Sequence, residues 1–252
     1  MSCHSPRHRE LWLIHSSSVT HIIGDAVEQL YDQNLGFRPA LPASEVLGQI
    51  SQLCWKLAKW QDSLPACLKV IATRDTVDTL PPTLETTRLR VLLSLRYLGT
   101  RILVLRPVLQ QFFLDLAGTA TSNEHQSKWL QSSGAALLAD IVRTCSDILH
   151  ISKNILAASR NNQNILGAWW FSCYYTFNSS LAVLGVLLIN RIPTYSADLS
   201  GFSVAELRAL LDSAIEILHG LDGGNKTMMR CRDTLAQLLT AFDFDGTWWM
   251  NL

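Results

Sequence analysis

Although the sequence carries six cysteines, it contains no C-x-x-C pair. Cys3, Cys54, Cys67, Cys145, Cys173 and Cys231 are scattered, and most fall inside apolar helical patterns. Isolated cysteines of this kind in a long chain are ordinarily small buried hydrophobes in a reducing compartment, so neither a disulfide framework nor a zinc site is expected. Charge of one sign is missing too: Lys+Arg and Asp+Glu stand at 21 each. With a sequence pI near 7.0, the chain has no overall pull toward nucleic acid or acidic lipid. Residues Met1 to Glu10 are polar and contain no apolar core followed by a small-residue cleavage site, which argues against secretion.

The motifs that announce chemistry are absent as well. There is no G-x-G-x-x-G, no P-loop, no H-E-x-x-H and no G-x-S-x-G. The seven histidines are dispersed, and the one i, i+4 pair, His4 with His8, lies in the polar N-terminus, where a solvated tail is expected in place of a metal site. His15, His21 and Asp25 read as ordinary helix-surface contacts. Gly223-Gly224 after Asp222 reads as a helix stop, since no Lys-Ser/Thr pair follows. No catalytic, cofactor-binding or metal-binding residues are assigned, and no enzymatic activity is expected.

What is present is helical periodicity. With 48% hydrophobic residues, the chain can bury a core without staples, and no alternating strand pattern with hairpin turns interrupts it. The expected fold is all-α, a multi-helix bundle of about eight to nine helices over residues 10–242. A flexible N-terminus (1–9) precedes it and an acidic-aromatic tail (243–252) follows. The first helix is expected over Leu11–Leu30, burying Leu13, Ile14, Ile22, Ile23, Val27 and Leu30. The second is expected over Ser44–Asp62, burying Val46, Leu47, Ile50, Leu53, Leu57 and Trp60.

From Arg88 to Pro107 the apolar positions cover most of a helix circumference, which predicts a helix walled in by others. Pro107 predicts a kink or a new helix start. Thr121 with Glu124, and Ser203 with Glu206, have capping-box spacing, and Phe202 with Leu207 supplies a hydrophobic staple to the second of these. The last two helices are expected over about Val204 to Leu218 and Lys226 to Phe242. Ile165 to Ile192 is long enough to span a membrane, but Ser172, Thr176, Asn178, Ser179 and Ser180 in its middle predict a central core helix.

Two sets of residues invite a functional reading. Arg88, Arg90, Arg96, Arg101 and Arg106 do not form a stripe on a helical wheel, so they are expected to pair with neighbouring helices and not with nucleic acid. Tyr174, Tyr175 and Asn178 are candidates for lining a small effector pocket, with plain packing as the alternative. The run Phe242-Asp243-Phe244-Asp245-Gly246-Thr247-Trp248-Trp249 alternates acids with bulky apolar groups, the composition of an activation-type tail that a partner groove would take. The alternative is a tail folded back on the last helices.

Several ordered segments together resemble the fungal-specific transcription factor domain, the helical middle homology region of zinc binuclear cluster regulators. They are Leu53-Cys54-Trp55 through Trp60 with Ser63-Leu64-Pro65, then Leu92 to Tyr97 leading into Arg101 through Pro107. A long helix from Ala135 to Ile155 follows, then Trp169 to Leu188 with Tyr174-Tyr175-Thr176-Phe177, and the closing pair Val204 to Leu239. The resemblance implies an all-helical regulatory and dimer-supporting module in the nucleus, with protein partners or a second copy, no membrane, no cofactor and no catalytic residues. The sequence departs from that family in lacking the six-cysteine cluster, its basic flank and a coiled-coil linker, and it corresponds to the C-terminal portion of the usual domain. Direct DNA binding by this chain alone is therefore not expected. A scaffold without a transcriptional role and a fungal biosynthetic-cluster protein stay open as alternatives.

Overall fold

The computed structural model describes residues 5–32, 41–71, 84–117, 124–158, 165–192, 195, 199–221 and 224–244. Among these there is no strand, and the all-α expectation holds. The helices are α1 (Ser5–Tyr31), α2 (Ala43–Asp62), α3 (Leu84–Leu105), α4 (Pro107–Leu116), α5 (Glu124–Ala158), α6 (Trp169–Asn190), α7 (Val204–Leu221) and α8 (Lys226–Phe244), with a 3-10 turn at Ala66–Leu68. Arg106, between α3 and α4, itself has helical φ/ψ of −55° and −35°, so the two segments form one rod. Counted as separate rods the described helices number seven, not eight to nine. Pro107 lacks an amide and takes the first position of α4, where none is needed. It therefore marks a junction without ending the helix.

One contiguous apolar core runs through the molecule. α1, α2 and α3 pack together at one end and α6, α7 and α8 at the other. α5, with 35 residues and so about 52 Å long, lies against α3, α4, α6 and α7 and joins the two ends. α2 buries the six positions its periodicity selects, together with Ala43. Trp60 on α2 is the hub of the first group. Its ring stacks on Tyr97 of α3 at 5.5 Å, its indole N–H donates to the His15 carbonyl of α1 at 3.1 Å, and the Tyr97 hydroxyl donates to Gln61 at 2.7 Å.

α1 departs from its expectation. It begins at Ser5, and Leu13, Ile14 and Val27 face outward while His8, Ser16, Val19, Ile22, Ala26 and Leu30 are buried. His8 is not in a solvated tail; its Nδ1 lies 3.3 Å from the Thr86 hydroxyl of α3. Ser16 and Thr20 receive the Arg96 guanidinium at 2.8 and 3.1 Å. Small polar residues on this seam let α1 approach α3 while giving the half-buried Arg96 guanidinium its acceptors.

α6 is the middle of the second group. It is the one helix among the described residues long and apolar enough to cross a membrane, and more than half of it is enclosed by protein. Its interior serines are satisfied within the chain, Ser172 donating to the Leu166 carbonyl, Ser179 to Tyr175 and Ser180 to Thr176 at 2.7–2.9 Å, whereas the buried Thr176 hydroxyl has no hydrogen-bond partner among the described residues. α7 starts with the expected capping box. The Ser203 amide donates to Glu206 Oε2 at 2.8 Å and the Glu206 amide to Ser203 Oγ at 3.2 Å, and these bonds hold the Glu206 carboxyl below its usual pKa. Phe202 is half-buried and Leu207 buried beside it in the core. Thr121 of the other expected box lies outside the described residues, which begin again at Glu124, as do His4, Cys3 and Gly223.

Candidate protein-interaction surface

The residues singled out from the sequence gather at the head of α6. Ile165 and Leu166 are buried, Gly167 turns the chain at φ +83°, and Ala168 leads into the helix. Gly167 suits this turn because its φ is strained for other residues, and a β-carbon there would also push the tip of Leu92, 2.7 Å away at Cδ2, aside. This tight turn delivers Trp169 and Trp170 as the first helical residues, 47% and 59% exposed, with Tyr174 56% exposed one turn on. Behind them the rings interlock edge to face: Trp170 on Phe171 at 5.9 Å, Phe171 on Tyr175 at 4.6 Å, and Tyr175 on Tyr174 at 5.3 Å. Phe171 and Tyr175, packed against the core, back the outer rings of Trp170 and Tyr174.

The three effector-pocket candidates are brought together, but they enclose little space. Tyr174, Tyr175 and Asn178 line a cleft with Gly99, Ile102, Leu103 and Arg106 that holds about 20 Å³, room for a single water. Asn178 turns its amide back to the Tyr174 carbonyl at 2.8 Å. Burial pushes the Tyr175 hydroxyl up to about 12, against the pull of Arg96. Next to this cleft a wider, open groove of about 620 Å³ runs between α4 and α6, lined by Tyr31, Arg106, Gln110, Phe113, Leu181 and Gly185 among others. Periodicity did not reveal it, because it forms only where α4 lies alongside Gly185 of α6. Tyr31 donates to the Leu103 carbonyl at 2.6 Å, and burial raises its hydroxyl to about 12 against the opposing charge of Arg106.

The arginines of α3 act largely within the fold. Arg90 donates to the Lys69 carbonyl at 2.7 Å, Arg96 to the hydroxyls of α1, and Arg101 to Asp140 of α5 at 3.1 Å. Asp140 also receives Arg143 at 2.9 Å. Arg88 and Arg106 are exposed and lie over opposite ends of the helix, so no continuous basic face exists on α3. Among the described residues no group of His, Cys, Asp and Glu is placed to hold a metal ion.

The activation-tail candidates divide. Phe242 is buried in α8, with the Arg191 guanidinium 3.7 Å above its ring and Arg191 donating to its carbonyl at 3.0 Å. Asp243 receives Arg208 at 2.5 Å, which holds its carboxyl below the usual range. Residues 242 and 243 are therefore fixed to the bundle, a correction to the reading of Phe242 as part of an accessible tail. Phe244 ends α8, and Trp248 and Trp249 lie outside the described residues.

Comparison with known proteins follows the same line. The chain is 27% identical over 208 residues, 82% of its length, to a protein of Gibberella moniliformis named Transcription factor FBD3. It is 30% identical over 183 residues, 73% of its length, to the protein of the same name in Fusarium pseudograminearum. The chain spans about a quarter of the length of these relatives, 27% and 24%. No family model matches the chain, and no solved structure matches it. At the family level these distant relatives support a transcription-regulator-like role.

Proposed function

We propose that this chain is the helical regulatory domain of a fungal transcription regulator, working in the nucleus by docking to protein and not by catalysis or by its own contact with DNA. The relatives named as transcription factors carry this reading, since their similarity extends along most of the chain. Two physical features support it. Positive and negative charges balance, and among the described residues the α3 arginines serve mainly inside the fold and form no basic stripe of the kind a DNA-binding helix carries. In addition, Trp169, Trp170 and Tyr174 stand exposed together on one helix head, and Trp and Tyr dominate the energetics of protein interfaces.

A second copy of the chain is the partner we assign to this face. Light scattering on a size-exclusion column tests the assignment. The expected result is a mass that rises with concentration above the 28.2 kDa of one chain, and a Trp169→Ser/Trp170→Ser variant that elutes as a monomer with unchanged helicity. A wild-type monomer that binds no apolar dye would overturn it. The transcriptional role is tested separately by fusing the chain to an unrelated DNA-binding domain upstream of a reporter. Unchanged reporter output would favour the scaffold alternative.

A further inference from the structure

Cys173 and Cys231 are far apart in sequence yet meet across the α6–α8 contact, with their sulfur atoms 3.8 Å apart. Cys173 is buried and Cys231 half-buried, so Cys231 is the more exposed member of the pair. No further ligand completes a metal set with them among the described residues. Thiol-to-thiol chemistry is what the geometry leaves. A disulfide requires the sulfurs to close to about 2.05 Å, which a rotation at one cysteine with a small shift of α8 can supply. α8 rests chiefly on α7 and meets α6 along a short contact, so closing the sulfurs asks for an adjustment of that contact alone.

We propose that Cys173 and Cys231 form an oxidation site, at which a peroxide converts the two thiols into a disulfide that fastens α8 to the head of α6. The thiolate of Cys231 attacks one peroxide oxygen; an S–O bond forms, the O–O bond breaks, and the departing oxygen leaves as water after taking a proton. The Cys173 sulfur then attacks the Cys231 sulfur. The S–S bond forms, the S–O bond breaks, and the expelled hydroxide takes the Cys173 proton and leaves as a second water. Two electrons pass from the sulfurs to the peroxide. Exposure sets the order: Cys231 meets the oxidant first, while burial holds the Cys173 thiol up at about 12 and keeps it from reacting with solvent oxidant directly. The remaining described cysteines, Cys54, Cys67 and Cys145, stand on other elements or are fully buried.

The test is peptide mapping of the whole chain after hydrogen peroxide, alkylation and trypsin, without reduction. The expected product is the peptide ending at Arg191 that contains Cys173, joined to the dipeptide Cys231-Arg232 and lighter by two hydrogen atoms. Thiol reductant should release it. Cys231→Ser and Cys173→Ser should each abolish the product, and Cys145→Ser should leave it unchanged. Closing so long a loop should also raise the melting temperature of the oxidised chain by roughly 5–10 °C. Cys173 alkylated to the same extent before and after peroxide, a link to any other cysteine, or sulfinic acid at Cys231 in place of the link would each overturn the proposal. If Cys173→Ser fails to fold, the wild-type map and Cys231→Ser still decide the outcome.

Discussion

Replacing Gly99 by alanine tests how α3 and α6 fit together beneath the exposed aromatic face. A β-carbon at Gly99 would stand 1.9 Å from Tyr175 Cε1 and 2.5 Å from Cδ1, so the ring must move. It has little freedom to do so, because Phe171 and Tyr174 hold it edge-on at 4.6 and 5.3 Å. Overpacking of this sort costs about 1–3 kcal/mol, whereas alanine in a helix interior gains about 1 kcal/mol over glycine. The net expectation for Gly99→Ala is a loss of about 1 kcal/mol, read as a melting temperature lower by about 2–4 °C in a chain of this size.

The argument turns on what happens when the ring is removed. In a Tyr175→Ala background the obstruction is gone, and Gly99→Ala should then stabilise by up to about 1 kcal/mol through helix propensity alone. The sign should reverse between the two backgrounds. Urea unfolding followed by circular dichroism at the helix band gives all four corners of the cycle, with an expected coupling of about 1–3 kcal/mol. Tyr175→Leu can take the place of alanine if the larger deletion unfolds the chain. A Gly99→Ala effect of the same sign and size in both backgrounds would refute the close-approach reasoning.

Phe112→Ala should cost about 3–5 kcal/mol by denaturant unfolding, because the ring is fully buried, meets Tyr195 edge to face at 5.4 Å and lies where a Gly134 side chain would go. A loss below about 1 kcal/mol would mean that the α4–α5 seam collapses readily around the gap. Ser203→Ala should cost about 1 kcal/mol through loss of the α7 cap. The carboxyl of Glu206 is held below its unfolded value, so its contribution is complete above the ordinary carboxylate pKa and fades as acid titrates it through its folded one. The Ser203→Ala difference should accordingly shrink on acidification; a difference that grows toward low pH would contradict the assigned bonds.

How far the fold could be read from the sequence differs from helix to helix. In α2 the strongest hydrophobes also share one face, so periodicity found both its bounds and its six buried positions. α1 offered Leu13, Ile14 and Val27, which composition favours, but those side chains cannot all share the seam set by His8, Ser16, Val19, Ile22 and Ala26. Angular position decided there, and it placed two small polar residues where Arg96 needs acceptors. Tyr174, Tyr175 and Asn178 line one cleft because one helix carries them. The size of their cleft was not legible, because it depends on Gly99 and Arg106 arriving from another helix. Phe242 was read from its acidic neighbours, while the contact that buries it comes from Arg191, distant in sequence. The Cys173–Cys231 pair likewise has no local signal.

The nearly all-round apolar character of α6 bears on how the chain is made. During synthesis this helix emerges with α5 already available to receive it, but before α7, its most extensive neighbour, exists. For that interval a greasy rod with the dimensions of a membrane span is only partly sheltered, and its inward Ser179 and Ser180, bonded to their own backbone, do little to repel lipid or other nascent chains. A ribosome stalled before Val204 would therefore release a sticky, aggregation-prone product, and prompt arrival of the last two helices is as much a condition of solubility as any surface charge.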